Sequence, residues 1–390
     1  MPVSETAPAR IPLSVPSIGG NAAAYLQACL DTNYVSSVGP FVERFEREFA
    51  AAVGARFAVA CSSGTAALHL AFLVLDVGPG DDVLVADLTF VASVNPIVYA
   101  GARPILVDAE PEAYGMDPAL VVAELDRRAA AGERQPAAIE VVHLLGHPAP
   151  IDAIAEAADR HGIPIVEDAS EALGATYTDG PHAGRSVGTI GRIAAFSFNG
   201  NKLITTGGGG MIVTDDEALA RRARHLSTQA RLPGLAYDHD EVGFNYRLTN
   251  VAAALGVAQL EELERLLGAR RAIATRYDAA IGSIDGLRPA PRAPWAESSF
   301  WLYTAALEVP DAARRDRILA TLDAAGIDAR PIWRPIHRTA LYREGARLEG
   351  PVADRIFEAA FCLPSSSSLT STDQERVVDA LRAAVAEADR

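Results

Sequence analysis

Short apolar runs alternate with amphipathic stretches between residues 57 and 226 of the chain. The apolar runs predict strands, and the stretches with apolar positions three and four apart predict helices. The predicted strands are 57–61, 82–86, 104–108, 138–145, 164–167, 193–198 and 211–214. The predicted helices are 65–75, 95–100, 118–131, 151–160 and 217–226. Strands spaced by helices in this way predict an α/β domain whose largely parallel sheet is covered on both faces.

The same pattern divides the chain into an arm and two domains. We interpret residues 1–20 as an N-terminal arm, because this stretch is polar and proline-rich and leads into a predicted helix at 21–32. Residues 21–265 then form a large α/β domain. Residues 266–390, in which the alternation changes, form a smaller α+β domain.

The later part of the chain is predominantly helical in pattern. Residues 245–282 form one long helical stretch, which we expect to break near Gly256 or Gly268. A strand and two helices follow at 301–308, 316–326 and 352–360. The final helix is predicted to open with a capping box of Thr372 and Glu375.

Composition and charge exclude several classes of protein. The 390 residues have a mean hydropathy of +0.11 and a net charge of −15, so a nucleic-acid-binding face is not expected. No apolar run approaches the roughly 18–20 residues that span a bilayer, and the N-terminus lacks the apolar core of a signal peptide. Cys29, Cys61 and Cys362 are few and far apart, which favours the reducing cytoplasm and argues against a disulfide framework or a metal cluster.

Polar groups follow three of the predicted strands at their carboxyl ends, where ligands of such sheets bind. The first group is the turn of Ser62, Ser63, Gly64 and Thr65, which leads directly into a helix. Free amides and hydroxyls at a helix N-terminus make a phosphate site. Taken alone, an ordinary cap with a glycine turn explains these residues better. The turn is not a P-loop, because no Gly-Lys-Ser/Thr follows.

Asp168 and Lys202 stand at the other two strand ends. Taken singly, Asp168 is explained as a helix cap and Lys202 as a salt-bridged lysine. Together with a phosphate turn they are the groups that a pyridoxal phosphate (PLP) site needs: a lysine that forms a Schiff base and an aspartate that protonates the ring nitrogen. An opposite charge at close range moves a pKa by ~1–3 units, enough to keep that nitrogen protonated. The sequence therefore predicts PLP bound to Lys202.

Six stretches, in order along the chain, resemble the DegT/DnrJ-type PLP-dependent nucleotide-sugar aminotransferases. They are SSGTAALHLA, LTFVASVNPIVYAGARPILVD, VHLLGHPAPIDAI, EDASEALGA, FSFNGNKLITTGGGGMIVT and GFNYRLTNVAAALGVAQLE. The likeness runs from about Ile11 to the C-terminus. It implies the fold of a fold type I aminotransferase, with a large α/β domain and a smaller C-terminal domain.

The resemblance implies roles for residues around the cofactor ring. Lys202 would hold PLP and, once freed by the substrate amine, move a proton between the sugar carbon and the cofactor. Asp168 would pair with the pyridine nitrogen, and Phe90 would stack on the ring face. Glu171 would lie near the 3′-oxygen, where many relatives have Gln, so it needs a shared proton or a nearby donor.

The resemblance also implies how the phosphate is bound. Gly64, Thr65 and Ser197 would contact it within one subunit, and Asn245 would reach the phosphate of the partner subunit. The active site would therefore be shared across a homodimer. The glycine run 207–210 stands where many relatives have GEGG, and either a flexible turn or a close approach of backbone to ligand explains it.

The pairing of NGNK with TTGGGGMIVT most resembles the branch that acts on UDP-4-keto-6-deoxy-N-acetylhexosamines. L-Glutamate would donate the amino group that becomes the 4-amino group of the sugar. A GDP-perosamine-type 4-aminotransferase, an aminotransferase for a 3-keto sugar or a cyclitol, and a non-catalytic PLP-binding regulator remain alternatives. A PLP-dependent sugar dehydratase is disfavoured, because such relatives carry His at the position of Lys202.

Candidate substrate residues share a character suited to a diphosphate and a uracil ring. They are Tyr34, Ser36, Arg247, Trp333 and His337. Packing or an interface explains each of them equally well when taken singly. We expect His143 and His147 to hold a strand-to-helix turn rather than to take part in chemistry.

Overall fold

A computed structural model describes residues 9–289 and 291–388 of the chain. Its α-helices are α1 Ala22–Asp31, α2 Pro40–Val53, α3 Gly64–Val74, α4 Val91–Tyr99, α5 Pro118–Ala131, α6 Asp152–His161, α7 Glu217–Ser227, α8 Asn250–Glu261, α9 Leu263–Ile281, α10 Ala312–Ala324, α11 Val352–Ala359 and α12 Ser371–Ala388. Its strands are β1 Phe57–Cys61, β2 Asp82–Ala86, β3 Arg103–Val107, β4 Ala138–Val142, β5 Ile165–Asp168, β6 Thr176–Tyr177, β7 Ile193–Ser197, β8 Gly210–Thr214, β9 Leu287–Arg288, β10 Ala296–Glu297, β11 Tyr303–Leu307, β12 Arg330–Pro331, β13 Arg347–Leu348 and β14 Ala360–Leu363.

An eight-stranded sheet forms the centre of the fold, in the order β1-β8-β7-β5-β4-β2-β3-β13. Six strands at one side of this order, β7-β5-β4-β2-β3-β13, run parallel to one another. Strand β8 pairs antiparallel with both β1 and β7. The α/β fold predicted from the sequence is confirmed. The parallel arrangement brings the carboxyl ends of β2, β4, β5 and β7 to one edge, which is where the polar strand ends of the sequence meet.

Both faces of this sheet are buried, because successive side chains of a strand point to opposite sides. In β8, Met211 and Val213 pack into one apolar cluster and Ile212 packs into another. In β5, Ile165 and Val166 divide between the same two clusters. Helices cover both faces, which is why these strands are almost continuously apolar.

A second core lies around the four-stranded antiparallel sheet β12-β14-β11-β9. Helix α9 contributes to both cores: Leu266 packs in the core of the large sheet, and Tyr277 packs in the second core. The division at 265–266 predicted from the sequence therefore falls inside a continuous helix. Strand β13, although late in the chain, pairs with β3 at the edge of the large sheet.

The predicted N-terminal arm, of which residues 1–8 lie outside the described residues, contacts both the C-terminal part and the large domain. The amide of Ile11 donates to the carbonyl of Gly326 (2.9 Å). The Ser14 hydroxyl donates to the carbonyl of Asn201 (2.9 Å), directly before Lys202. The arm thus reaches the segment that carries the predicted cofactor lysine.

Two local predictions are wrong. The helical pattern of 245–282 breaks at Glu262, between α8 and α9, and at neither glycine. Gly256 instead lies inside α8, where an added Cβ would lie 2.7 Å from the ring of Phe45, so it permits close helix packing. The cap of α12 is Thr370 rather than Thr372, since the Thr370 hydroxyl accepts from the amide of Asp373 (3.1 Å).

Among residues 9–289 and 291–388, no helix combines the length and apolar character needed to cross a membrane.

Glu140 is an unusual feature of this core, because it is a fully buried acid in the middle of β4. Within the described part of the chain, neither of its carboxyl oxygens has a hydrogen-bond partner. It pairs in register with Val166 of β5, whose strand ends at Asp168. Burial raises the pKa of Glu140 well above its ordinary value, and the negative charge of Asp168 adds to the effect. Burial and this neighbouring charge therefore both favour the protonated, uncharged form of the side chain.

Replacing Glu140 with Leu is expected to stabilise the fold increasingly as pH rises. The unfolded chain releases the Glu140 proton near its ordinary pKa while the folded chain retains it, so the parent loses stability with pH in that window. The free energy of unfolding, measured with urea, should differ between the two proteins by an amount that grows with pH. Above about pH 5 the growth should be up to about 1.4 kcal/mol per pH unit, until the pH reaches the pKa of Glu140 in the folded chain. Glu140→Gln, which keeps the volume, should show the same trend. A difference that is constant with pH would contradict the assignment.

Candidate active site

A cavity of about 370 Å³ opens at the carboxyl edge of the large sheet. Its walls come from the ends of β1, β2, β5 and β7, from the glycine run before β8, and from two tryptophans of the C-terminal part. Eight of the predicted site residues line it: Gly64, Thr65, Phe90, Asp168, Glu171, Ser197, Lys202 and Trp333.

The start of α3 forms one end of this cavity. The Ser63 side chain accepts from the amide of Ala66 (3.0 Å), which caps the helix and leaves the amides of Gly64 and Thr65 free of intrahelical partners. A Cβ at Gly64 would lie 2.8 Å from Cβ of Ser197, so only glycine allows β7 and α3 to meet here. Free amides, a helix dipole and hydroxyls converge at this point, as a phosphate requires.

Asp168 ends β5 and is held by two donors. The residue is 5% exposed. The Ser93 hydroxyl donates to Oδ2 (2.8 Å), and the amide of Ser170 donates to Oδ1 (3.0 Å). Ser93 is itself in contact with the hydroxyl of Thr89 (2.7 Å). The carboxylate is therefore fixed in orientation at the floor of the cavity.

Lys202 lies in the turn after β7, with its Nζ inside the cavity. Nζ is 3.8 Å from Oε1 of Glu171 and 3.7 Å from the ring centroid of Trp301. Burial lowers the pKa of Lys202, and the nearby charges of Glu171 and Asp168 oppose that shift. A buried lysine with a lowered pKa has more of the neutral amine, which is the nucleophilic form.

Glu171 has the donors that its carboxylate needs. The amide of Leu145 donates to Oε2 (2.7 Å), and the indole N–H of Trp333 donates to Oε1 (3.2 Å). Leu145 adopts the left-handed region (φ 56°), which is unfavourable for this residue type and directs its amide at Glu171. Burial raises the pKa of Glu171, and the ammonium of Lys202 opposes that shift. The structure thus identifies nearby donors, which the sequence left open.

Lys202 is also the only lysine of the 390 residues, since the other 34 of the 35 Lys and Arg residues are arginine. Arginine stays protonated and does not supply a nucleophilic amine. Apart from the N-terminus, the chain has a single primary amine, and it lies in this cavity. That the chain has a single lysine can be counted from the sequence, but the comparison of motifs alone did not bring it out.

Five of the predicted substrate and cofactor residues lie outside the residues that line the cavity: Tyr34, Ser36, Asn245, Arg247 and His337. The carbonyls of Tyr34 and Ser36 accept hydrogen bonds from Asn250, at the start of α8. Asn245 is exposed, and its backbone forms an isolated antiparallel β-bridge with Thr228. The backbone of Arg247 forms an isolated antiparallel β-bridge with Cys61, and its side-chain Nε is buried without a partner among the described residues.

His337 also lies outside the cavity lining and links the C-terminal part to β2. Its amide donates to Oδ1 of Asp87 (2.9 Å), and its ring nitrogens face Asp87 and Asp354. Burial raises the pKa of Asp87, and its bonds to His337 oppose that shift. Trp333, by contrast, lies 5.3 Å from Phe90 between ring centroids, in the wall of the cavity.

His143 and His147 hold the turn after β4, as the sequence predicted. Nδ1 of His143 accepts from the amide of Ala149 (3.0 Å), so Nε2 is the donor to Glu167 (2.9 Å). Burial opposes the ionisation of Glu167, but bonds from His143 and from backbone amides outweigh it and lower its pKa. His147 contacts the carbonyl of Pro148 and accepts from the amide of Ala293.

These observations fit PLP in the cavity. The free amides at the start of α3, a buried carboxylate held by two donors and a lysine amine open into one space, and Phe90 provides an aromatic face beside them. The model of the DegT/DnrJ/EryC1/StrS aminotransferase family matches residues 16–382. The chain belongs to this family. It is accordingly a PLP-dependent sugar aminotransferase.

Relatives and solved structures agree over nearly the whole length. The GDP-perosamine synthase of Caulobacter vibrioides is 40% identical over 373 residues, which cover 95% of this chain and 97% of that protein. The dTDP-3-amino-3,4,6-trideoxy-alpha-D-glucose transaminase of Streptomyces venezuelae is 37% identical over 349 residues, covering 88% and 87%. The structure of the aminotransferase TlmJ from Streptoalloteichus hindustanus superposes with a TM-score of 0.87 at 30% identity, covering 97% and 100%.

A Gly64→Ala variant tests the phosphate cradle. The added Cβ pushes against Ser197, so the dissociation constant for PLP should rise about tenfold or more, equivalent to ~1.4 kcal/mol. The measurement is a titration of the PLP-free enzyme with PLP, followed by absorbance. Gly268→Ala is the matched control, because an added Cβ there meets nothing within 4 Å. Equal PLP affinity in the two variants would contradict the cradle.

Proposed function

We propose that the enzyme transfers the amino group of L-glutamate to a nucleotide-linked 4-keto-6-deoxysugar and releases the 4-amino sugar. The observation that carries this proposal is the position of the only lysine of the chain. Its Nζ shares one cavity with Asp168 and with the free amides of α3. We assign Lys202 and Asp168 as the catalytic residues.

PLP, when bound, supplies an electron sink for the carbon that carries the migrating amino group. Asp168, oriented by Ser93 and by the amide of Ser170, holds a proton at the ring nitrogen. Nζ of Lys202 would hold the cofactor and, when free, would move a proton at the reacting carbon. Glu171 keeps a negative or proton-sharing group within 3.8 Å of that amine.

Cofactor binding falls to four further residues in this proposal. Gly64, Thr65 and Ser197 bind the phosphate at the start of α3, where the dipole favours an anion. Phe90 precedes α4 with its ring half exposed beside Trp333, a position suited to stacking on the cofactor ring.

Two nucleotide sugars are candidates for the acceptor. The NGNK and GGGG stretches favour a UDP-linked 4-keto-6-deoxy-N-acetylhexosamine. The GDP-perosamine synthase similar to this chain at 40% identity favours a GDP-linked 4-keto sugar as the second candidate. Both are 4-keto-6-deoxysugars, so the reaction is the same and the nucleotide and sugar substituents differ.

We also propose a homodimer with a shared site. Large exposed apolar side chains occur in two segments of the chain. One segment contacts the start of α8 and contains Tyr34, Val35 and Val38. The other directly precedes Asn245 in sequence and contains Leu235, Tyr237 and Val242. Apolar surface of this kind marks interfaces. Asn245 would then reach the phosphate of the partner subunit. Three buried free cysteines suit the reducing cytoplasm, where we place the enzyme.

Incubation with L-glutamate and a panel of GDP-, UDP- and dTDP-linked keto sugars tests the reaction. We expect 2-oxoglutarate and a 4-amino sugar, identified by mass spectrometry and NMR. Lys202→Ala should lower the rate by roughly 10³-fold or more, because proton transfer alone contributes about 10²–10⁴-fold. Lys202→Arg keeps the charge but lacks a nucleophilic amine, so its rate should fall by as much as that of Lys202→Ala. Transamination by Lys202→Ala would exclude the role of Lys202, and a 3-amino product would exclude the regiochemistry.

Mixing two inactive variants tests the shared site. In a dimer of Lys202→Ala and Asn245→Ala subunits, one site has both defects and the other has neither, if Asn245 acts across the interface. Random exchange in a two-fold dimer should then restore about a quarter of the parent activity. No recovery after verified subunit exchange would show that Asn245 does not act on the partner's site.

A further inference from the structure

Trp301 makes two contacts with the segment that carries Lys202. Its ring centroid lies 3.7 Å from Nζ of Lys202, and its indole N–H donates to the carbonyl of Asn201 (2.7 Å). Trp301 is 2% exposed, so its ring is shielded from water except where it faces the cavity. The tryptophan belongs to the C-terminal part of the chain, whereas Lys202 follows β7 of the large sheet.

The backbone around Trp301 is fixed independently of this contact. Phe300 adopts the left-handed region (φ 49°), an unfavourable backbone geometry for this residue type that sets the direction in which the chain enters Trp301. A Cβ at Gly146 would lie 2.7 Å from the amide nitrogen of Trp301, so only glycine lets the two turns approach. The buried guanidinium of Arg270 donates to the Trp301 carbonyl. The ring is therefore held in place before any ligand arrives.

We propose that Trp301 is a positioning residue that holds the free ammonium of Lys202 against its ring whenever that side chain is detached from the cofactor. This inference rests on the proposed role of Lys202. A lysine that is released and re-attached in every turnover must stay within reach of the reacting carbon. The ring holds Nζ in the cavity, and the bond to Asn201 fixes the backbone that carries it.

The pKa of Lys202 depends on the charges around Nζ as well as on the ring of Trp301. The titratable groups that face Lys202 are Glu171, in the turn after β5, and Asp168, at the end of β5. Both favour the ammonium, while burial disfavours it. A cation over a tryptophan face gains about 0.5–2 kcal/mol, more when the contact is desolvated as it is here. Loss of the ring should therefore lower the pKa of Lys202.

The single lysine makes this measurable directly. Growth with [ε-¹³C]lysine gives the full-length, PLP-free enzyme one lysine resonance, whose titration reports the pKa of Lys202. Trp301→Leu should lower that pKa by about 0.5–1.5 units, from the cation–π energy converted at 1.36 kcal/mol per unit. Trp301→Phe, which keeps a weaker ring but loses the indole N–H, should shift it by less.

Trp295→Leu is the matched control. Trp295 stacks on Tyr177 (6.2 Å between centroids) and is not among the residues that line the cavity. This variant should leave the titration within about 0.2 units of the parent, because no charge contact with Lys202 changes.

Each outcome decides for or against the proposal. A Trp301→Phe titration equal to that of Trp301→Leu would assign the effect to the indole N–H and overturn the role of the ring. Titrations of both Trp301 variants equal to the parent would overturn it as well. If Trp301→Leu does not fold, a parent-like titration of Trp301→Phe overturns it and an intermediate downward shift supports it. Addition of PLP to the parent separates the two proposals: an unchanged lysine resonance would refute the cofactor role of Lys202, not the contact with Trp301.

Discussion

The buried pair of Lys202 and Glu171 is the interaction on which the proposed active site depends. Two charges in a cavity lined by apolar rings cost free energy unless each has partners. Glu171 has the amide of Leu145 and the indole of Trp333, and Lys202 has Glu171 and the ring of Trp301. The turn after β4, the end of β5, the turn after β7 and the C-terminal part must all be in place for this pair to be satisfied.

That requirement explains why both cores are needed for one site. The large sheet supplies the proposed phosphate cradle, Asp168 and Lys202 at a single edge, because parallel strands end on the same side. The second core supplies the two tryptophans that close the cavity from the other side. The arm adds Ser14, whose hydroxyl shares the carbonyl of Asn201 with Trp301. The contact between the two cores therefore sets the environment of the lysine.

Sequence patterns predicted the parts of the site that lie at strand ends. Asp168 and Lys202 could be proposed because apolar runs define where the strands stop, and Gly64 because a helix follows its turn directly; the structure places all three in one cavity. Trp301 and Ser93 were missed, since their partners Lys202 and Asp168 are distant in sequence and no local period reports such contacts. His337 was assigned to substrate from its residue type, and that role stays a prediction, while the structure places its ring against Asp87. Residue type alone does not tell a ligand contact from a link between two parts of a chain.

The attachment of the cofactor to Lys202 can be tested in one measurement. Borohydride reduction of the PLP-loaded enzyme, followed by proteolysis and mass spectrometry, locates the reduced adduct on the chain. We predict a single adduct, on the peptide that contains Lys202, which is the only lysine available. An adduct on the N-terminal amine alone, or a loaded enzyme that yields no adduct, would contradict the assignment of this cavity as the PLP site.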